Sequence, residues 1–372
     1  MAKLSALIFL IIPGVVLKYM IWSAIISNTA WACTATKLTT SPKFPAFLIF
    51  GDSTVDDGNN NYIRTFIKGN HYPYGRDFPD HIPTGRFSNG KLVSDFIASA
   101  LRIKENIVPA FLDPNLSDEE LRTGVSFASA GAGYDDLTTV ASGAISMSKQ
   151  IEYFKKYLVR LKGIVGEADA KKIVNGSLFL ISAGANDFIF NFYDLPTRRL
   201  QFNISGYHEF LQNRIQIFIE DLYNLGCRKL CITGLPPIGC LPIQMTAKFE
   251  NPKDRKCLED ENLDAENYNQ KLAKLLPQVQ AYLPGSKIVY ADVYEPLIHM
   301  TNHPEKYGLV ETKRGCCGTG LIEVGPLCTP ITPICKKASE YLFWDSIHPS
   351  ETAYQYLSKY IMKRVLPKLL YI

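Results

Sequence analysis

No run of Lys and Arg in this 372-residue sequence is long enough to form a nucleic-acid footprint; the net charge is +4 and the positive residues are scattered. No CxxC pair and no histidine at ligand spacing from a cysteine is present, so a zinc site is disfavoured. The GxSxG elbow of one large hydrolase class is missing. Ser146-Met-Ser-Lys149 matches an SxxK pattern, but its SDN and KTG companions are absent, so the match is read as coincidence. His299 and His303 stand four apart, yet Met300 fills the place of a metalloprotease glutamate and Pro304 follows at once, which argues against a metal. There is no repeat, no low-complexity linker and no sign of a second domain. Past the N-terminus, no segment is long and apolar enough to cross a bilayer.

What is present suits a secreted globular protein. Hydrophobic residues make up 47% and charged residues 20%, enough to bury a large core. Lys3 opens an apolar run from Leu4 to Leu17, a second reaches Ile26, and Ala30-Trp31-Ala32 offers a small-x-small cleavage site. Pro13 and Lys18 interrupt the span, so residues 1–32 read as a signal peptide and not as a stable membrane anchor. A single domain is expected over residues 45–370. Cys240, Cys257, Cys316, Cys317, Cys328 and Cys335 form an even late cluster, expected to be disulfides whose pairing is open. Cys227 and Cys231 read as buried thiols, and Cys33 as unpaired. Asn115, Asn175 and Asn203 open three glycosylation sequons.

Short apolar runs alternate with longer amphipathic ones. Ala46–Phe50, Val125–Ala128, Ser177–Ser182, Lys229–Thr233 and Lys287–Ala291 have the near-continuous pattern of strands covered on both faces. Helical spacing joins Ile151, Phe154, Leu158 and Leu161, and again Leu211, Ile215, Phe218 and Leu222. Further helices are expected over 258–276 and 351–365. This alternation predicts an α/β protein with a mainly parallel sheet and helices on both faces.

Four loops at predicted strand or helix ends carry chemistry. Gly51-Asp52-Ser53 follows the first strand, where active groups of a parallel sheet gather. Ser53 needs a base to become a nucleophile; its bland role is a helix cap. In Asp345-Ser-Ile-His348-Pro349, the carboxylate can bind Nδ1–H of the imidazole and leave Nε2 free to take the serine proton; a surface Asp–His pair is the plainer alternative. The loop Ala128-Ser-Ala-Gly131-Ala-Gly and the Asn186-Asp187 pair each make a tight turn. Together they can also supply the Gly131 amide and the Asn186 carboxamide, beside the Ser53 amide, to an oxyanion. Nucleophile, base, orienter and donors thus fall on loops that a parallel sheet brings to one edge. Asp56-Asp57 and Asp135-Asp136 have the look of glycosidase pairs but are read as turn and cap residues. Tyr72, Tyr74, Phe188 and Phe192 are read as exposed aromatics that can line a groove, with core packing accounting for most.

The ordered motifs resemble those of the plant GDSL esterase/lipase family, within the SGNH hydrolases. They run from Phe50-Gly-Asp-Ser53-Thr-Val-Asp-Asp-Gly58 through Pro83-Thr-Gly-Arg-Phe-Ser-Asn-Gly90, Phe127-Ala-Ser-Ala-Gly131, Gly184-Ala-Asn186-Asp187 and Gly234-Leu-Pro-Pro-Ile-Gly-Cys240. Cys316-Cys317-Gly-Thr-Gly320 and Trp344-Asp345-Ser-Ile-His348-Pro349 close the set. The resemblance implies a three-layer α/β/α sandwich of the SGNH, flavodoxin-like kind. It also implies Ser53, Gly131, Asn186 and His348 as the four name-giving residues, with Asp345 behind the histidine. Thr54 departs from the family's leucine, and Ala130 and Ser126 from a frequent glycine and asparagine. The expected activity is hydrolysis of a lipid, polysaccharide or small-molecule ester in the apoplast or wall, with no cofactor and no metal. An acyltransferase using the same acyl-enzyme, and a non-catalytic wall- or lipid-binding protein, are the rival readings.

Overall fold

The first buried run, Phe47–Gly51 (β1), pairs in parallel with Leu178–Ser182 (β2), which pairs with Lys229–Thr233 (β3), which pairs with Lys287–Ala291 (β4). The structure is a computed structural model that describes residues 43–105, 107–140, 142–248 and 255–370. The proposed signal segment and Cys33 lie outside the described residues.

Residue 126 adds a parallel bridge on the other side of β1. Ile49 N–H donates to the Val125 carbonyl, and the Phe127 N–H returns a bond to the Ile49 carbonyl at 2.8 Å. The Val125–Ala128 run is therefore reduced to isolated bridges, to Ile49 on one side and Ala110 on the other, and is shorter than its apolar pattern predicts. Counting it, the strand order is 2-1-3-4-5, the flavodoxin-like arrangement, whose crevice opens where the chain reverses direction across β1 and β2.

Alternation along the strands sorts the core into two faces. Leu48, Phe50, Phe179, Ile181, Leu230, Ile232 and Ile288 face one cluster. Phe47, Ile49, Leu178, Leu180 and Cys231 face the other. The first face is covered by Met147–Val165 (α2), Ile204–Asn224 (α4) and Glu259–Ala281 (α5). The second is covered by Val93–Ala100 (α1) and Glu351–Arg364 (α7). This is the three-layer α/β/α sandwich. Glu167–Gly176 (α3) and Tyr294–Asn302 (α6) are two further helices. The coincidental SxxK has a structural role: Ser146 caps α2, its hydroxyl accepting the Lys149 N–H, while Lys149 pairs with Glu152.

The late cysteines pair as Cys240–Cys257, Cys316–Cys335 and Cys317–Cys328, and Cys227 and Cys231 are buried thiols. The two nested disulfides staple residues 316–335 beside a small parallel pair, Glu311–Gly315 (β5) and Tyr341–Phe343 (β6). No helix among the described residues is long and apolar enough to cross a membrane.

Candidate active site

β1 ends at a point only glycine can occupy. Gly51 has φ +142°, and a Cβ there would lie 1.9 Å from the Ser182 carbonyl oxygen of β2. The side chain of Gln150, from α2, clasps the same peptide. Its Oε1 accepts the Gly51 N–H and its Nε2 donates to the Gly51 carbonyl, both at 2.9 Å. The chain is thereby delivered to Asp52 and Ser53 at the carboxyl edge of the sheet. Sequence reasoning missed Gln150, although a polar residue on the apolar face of an amphipathic helix was a signal for it.

Ser53 and His348 are 295 positions apart in the chain, yet Ser53 Oγ lies 2.7 Å from His348 Nε2. His348 Nδ1 lies 2.7 Å from Asp345 Oδ2. With a carboxylate at Nδ1, that nitrogen carries the proton and Nε2 is left to accept from the serine hydroxyl. The turn holding this pair is tied down on both sides. Asp345 Oδ1 accepts the Ile347 and His348 backbone N–H groups at 2.9 and 2.7 Å. Trp344 N–H donates to the His348 carbonyl at 2.7 Å. Tyr74 donates its hydroxyl to Asp345 Oδ2 at 2.8 Å and accepts the Gly325 N–H from the disulfide-stapled loop. Phe87 packs against the imidazole with ring centroids 4.9 Å apart.

Tyr74 also departs from its expected exposure. Tyr74, Phe188 and Phe192 are buried, and of the four aromatics read as exposed only Tyr72 is so, at 42%. An aromatic in a loop looks like a surface residue from sequence, because nothing local announces a partner 271 positions away.

Asn186 follows β2, and its Nδ2 donates to the Ala132 carbonyl at 2.8 Å, which leaves its second N–H to point elsewhere. Gly131 sits at φ +86°, a conformation that suits glycine. Among the described residues, neither the Ser53 nor the Gly131 backbone N–H donates a hydrogen bond. The loop before Gly131 is held by residues that read from sequence as turn formers. Asp56 accepts the Ala130 N–H at 2.9 Å, Asn59 donates to the Ser126 and Ala128 carbonyls, and Asn60 donates to the Ala130 carbonyl. The loop after it is held by Asp187, which accepts the Tyr134 and Asp135 N–H groups. Asp57 joins a buried ion pair in which Arg86 also grips Asp95 with two bonds of 2.8 Å. Asp135 and Asp136 bind Arg198 and Arg214. None of these aspartates forms a facing pair of free carboxylates. His299 bonds Tyr307, and no cluster fit to hold a metal occurs among the described residues.

Burial pushes the Asp52 and Asp56 carboxyls up to about 6 and Asp187 up to about 7, against hydrogen bonds that pull them down. A carboxyl raised above its ordinary 3.8 takes up a proton more readily folded than unfolded. Its contribution to stability is complete below 3.8 and is lost as the pH climbs through 6 to 7. Thermal midpoints should accordingly be higher at mildly acidic pH than at mildly alkaline pH; a flat or rising profile would contradict these protonation states.

Two cavities meet at Ser53. The first, the strand-end cavity, runs from Asp52 and Ser53 to α6 and α7, and its walls are mostly aliphatic. The second, the imidazole-side cavity, is bordered by Ser53, Gly131, Asn186 and His348, with Phe66 and Leu327 at its rim. Ser53, Gly131, Asn186 and His348 therefore border one space. Such an arrangement can remove a proton from Ser53 and stabilise an oxyanion next to it.

Comparison with known proteins identifies the family. The profile of the GDSL-like Lipase/Acylhydrolase family matches residues 47–361. An Arabidopsis thaliana protein named as a GDSL esterase/lipase is 55% identical over 347 residues, covering 92% of this chain and 96% of its own. A second Arabidopsis thaliana GDSL esterase/lipase is 57% identical over 322 residues, covering 86% and 89%. A crystal structure of an extracellular lipase from Streptomyces rimosus aligns with 84% of this chain and 98% of its own at 12% identity and a TM-score of 0.34. At that score the likeness carries no argument, and the fold rests on the sheet and its two covered faces.

Proposed function

This chain belongs to the GDSL-like lipase/acylhydrolase family and is a carboxylic ester hydrolase, and from that premise we propose that it works through an acyl-enzyme on Ser53. Ser53 Oγ attacks the ester carbonyl while His348 Nε2 takes its proton, and Asp345 stabilises the imidazolium that forms. The Ser53 and Gly131 amides and the Asn186 carboxamide donate to the oxyanion. His348 then hands the proton to the departing alcohol, and a water molecule activated by the same nitrogen releases the acid. The observation that carries this reading is the unbroken hydrogen-bonded line Asp345–His348–Ser53.

We assign the two halves of the ester to the two cavities. The alcohol must leave on the side of the group that protonates it, which is the imidazole-side cavity bordered by His348. The acyl group then occupies the aliphatic strand-end cavity. A fluorophosphonate probe tests the nucleophile directly: it should label the folded protein at Ser53, and an unlabelled Ser53 would sink the proposal.

Tyr74 is a positioning residue in this scheme, acting on the ester only through Asp345. Replacing it with phenylalanine should lower kcat roughly tenfold, the scale of one charge-assisted hydrogen bond, with little change in KM. A loss confined to KM would assign Tyr74 to substrate binding instead.

We also propose that the protein is secreted, with its destination the apoplast or wall. The three disulfides suit an oxidising compartment. Of the sequon residues, Asn115 and Asn203 are exposed and Asn175 is half-buried. Protein expressed in plant cells with its own N-terminus should be recovered outside the cell and should shift in mobility on deglycosylation. Retention inside the cell with no shift would refute secretion.

A further inference from the structure

Which alcohol the imidazole-side cavity accepts follows from its walls, and the conclusion rests on the acyl-enzyme reading of Ser53. Among the described residues that border this cavity, the polar side chains are Ser53, Asn186 and His348. Each has a task already. Ser53 and His348 hold one another, and Asn186 holds the Ala132 carbonyl and faces the oxyanion. No Asp, Glu, Lys or Arg borders the space, and its walls are chiefly Phe66, Ile67, Phe87, Phe190, Leu327 and Ile347.

The apolar surface begins at the reacting groups themselves. Phe87 packs against the His348 ring, with centroids 4.9 Å apart. Ile67 covers Gly131: a Cβ placed on that glycine would lie 2.8 Å from Ile67 Cδ1. The main chain here is already engaged. Ile67 N–H donates to Thr65 Oγ1, and the Ile67 carbonyl accepts from Asn60 Nδ2. Gly325 N–H donates to Tyr74, and the Val324 and Gly325 carbonyls accept the Leu327 and Cys328 N–H groups.

An alcohol in this space meets carbon directly past its ester oxygen. Glycerol and sugars carry a hydroxyl on the carbon beside the esterified one. That hydroxyl falls among the first contacts, where Phe87 and Ile67 stand. Taken out of water there without a partner it is penalised, whereas a hydrocarbon carbon is favoured. Further out the rim is open, with Phe66 and Leu327 62% and 54% exposed, so a hydroxyl at that distance keeps its water. The strand-end cavity, with its mostly aliphatic walls, makes the same demand of the acyl chain. We propose that the substrate is an ester apolar on both sides of its carbonyl, whose leaving group is a monohydric aliphatic or aryl alcohol and not glycerol or a sugar.

The test compares initial hydrolysis rates of hexanoate esters of three alcohols: hexanol, hexanol with a second hydroxyl on the neighbouring carbon, and hexanol with it at the chain end. Glycerol and glucose monohexanoates run alongside. A neighbouring hydroxyl makes the alcohol a slightly better leaving group, so intrinsic reactivity favours that ester. The protein should instead turn it over about tenfold less well in kcat/KM than the hexyl ester, the cost of one hydroxyl left without a partner, while the chain-end hydroxyl should cost less than about threefold. Ile67→Thr replaces an ethyl group with a hydroxyl beside Gly131 and should narrow the tenfold gap. Equal or faster turnover of the neighbouring-hydroxyl, glyceryl or glucosyl ester overturns the inference and leaves the ester-hydrolase reading standing. An unchanged gap in Ile67→Thr overturns the part given to Ile67, and the wild-type series decides alone if that variant does not fold. Turnover of none of these esters overturns the inference even where Ser53 takes the fluorophosphonate, and an unlabelled Ser53 takes the parent reading down with it.

Discussion

Replacing Ser53 with alanine should lower ester turnover by about five orders of magnitude or more, to a residue of catalysis from the oxyanion donors alone. The reason lies in how the other groups depend on the hydroxyl. His348 Nε2 is 2.7 Å from Ser53 Oγ, and its later steps act on the ester that this oxygen would hold. Without the oxygen no acyl-enzyme can form, and a water in its place lacks the covalent tether. The backbone should be undisturbed, because Gly51, Gln150 and Ser182 fix the loop through main-chain contacts that the substitution does not touch. A Ser53→Ala protein with wild-type thermal stability and kcat/KM within tenfold of wild type would remove Ser53 from the mechanism.

Asp345→Asn should cost about four orders of magnitude in kcat. The carboxylate accepts four hydrogen bonds: from the Ile347 and His348 backbone N–H groups on one oxygen, and from His348 Nδ1 and the Tyr74 hydroxyl on the other. Asparagine offers one acceptor oxygen. If that oxygen stays with the backbone, its NH2 group faces Nδ1 and Tyr74, and the imidazole must then carry its proton on Nε2, where it cannot accept from Ser53. If it turns over, the 345–348 turn loses its clamp. Either way the site is disarmed, and a loss under tenfold would show that Asp345 neither orients nor stabilises the imidazole.

The fold was legible where one signal sufficed. The apolar runs at 47–51, 178–182, 229–233 and 287–291 are strands because both their faces are covered. Helix ends were less exact: α5 continues through Pro277 to Ala281, past the end its apolar spacing suggests. Ser53, Asp345 and His348 were nameable from local motifs, because each motif follows a chain break that a parallel sheet sends to one edge. The residues that brace them were not. Asp56, Asn59 and Asn60 look like ordinary turn formers, and only the folded chain shows their side chains carrying the loop before Gly131. Tyr74, the disulfide pairing and the two cavities depend on chain segments far apart in sequence. No local pattern encodes such distances.

The rim of the imidazole-side cavity has a consequence for the fate of the acyl group. Phe66 and Leu327 there are 62% and 54% exposed, so solvent and any small nucleophile arrive by the same route. An acyl-enzyme on Ser53 would then meet water and alcohol through one opening, and partition between acid and new ester would be a matter of supply. With an added alcohol, the ratio of transesterified to hydrolysed product should rise in proportion to its concentration, and the steepness of that line would rank candidate alcohols by how well they sit against Phe66 and Leu327.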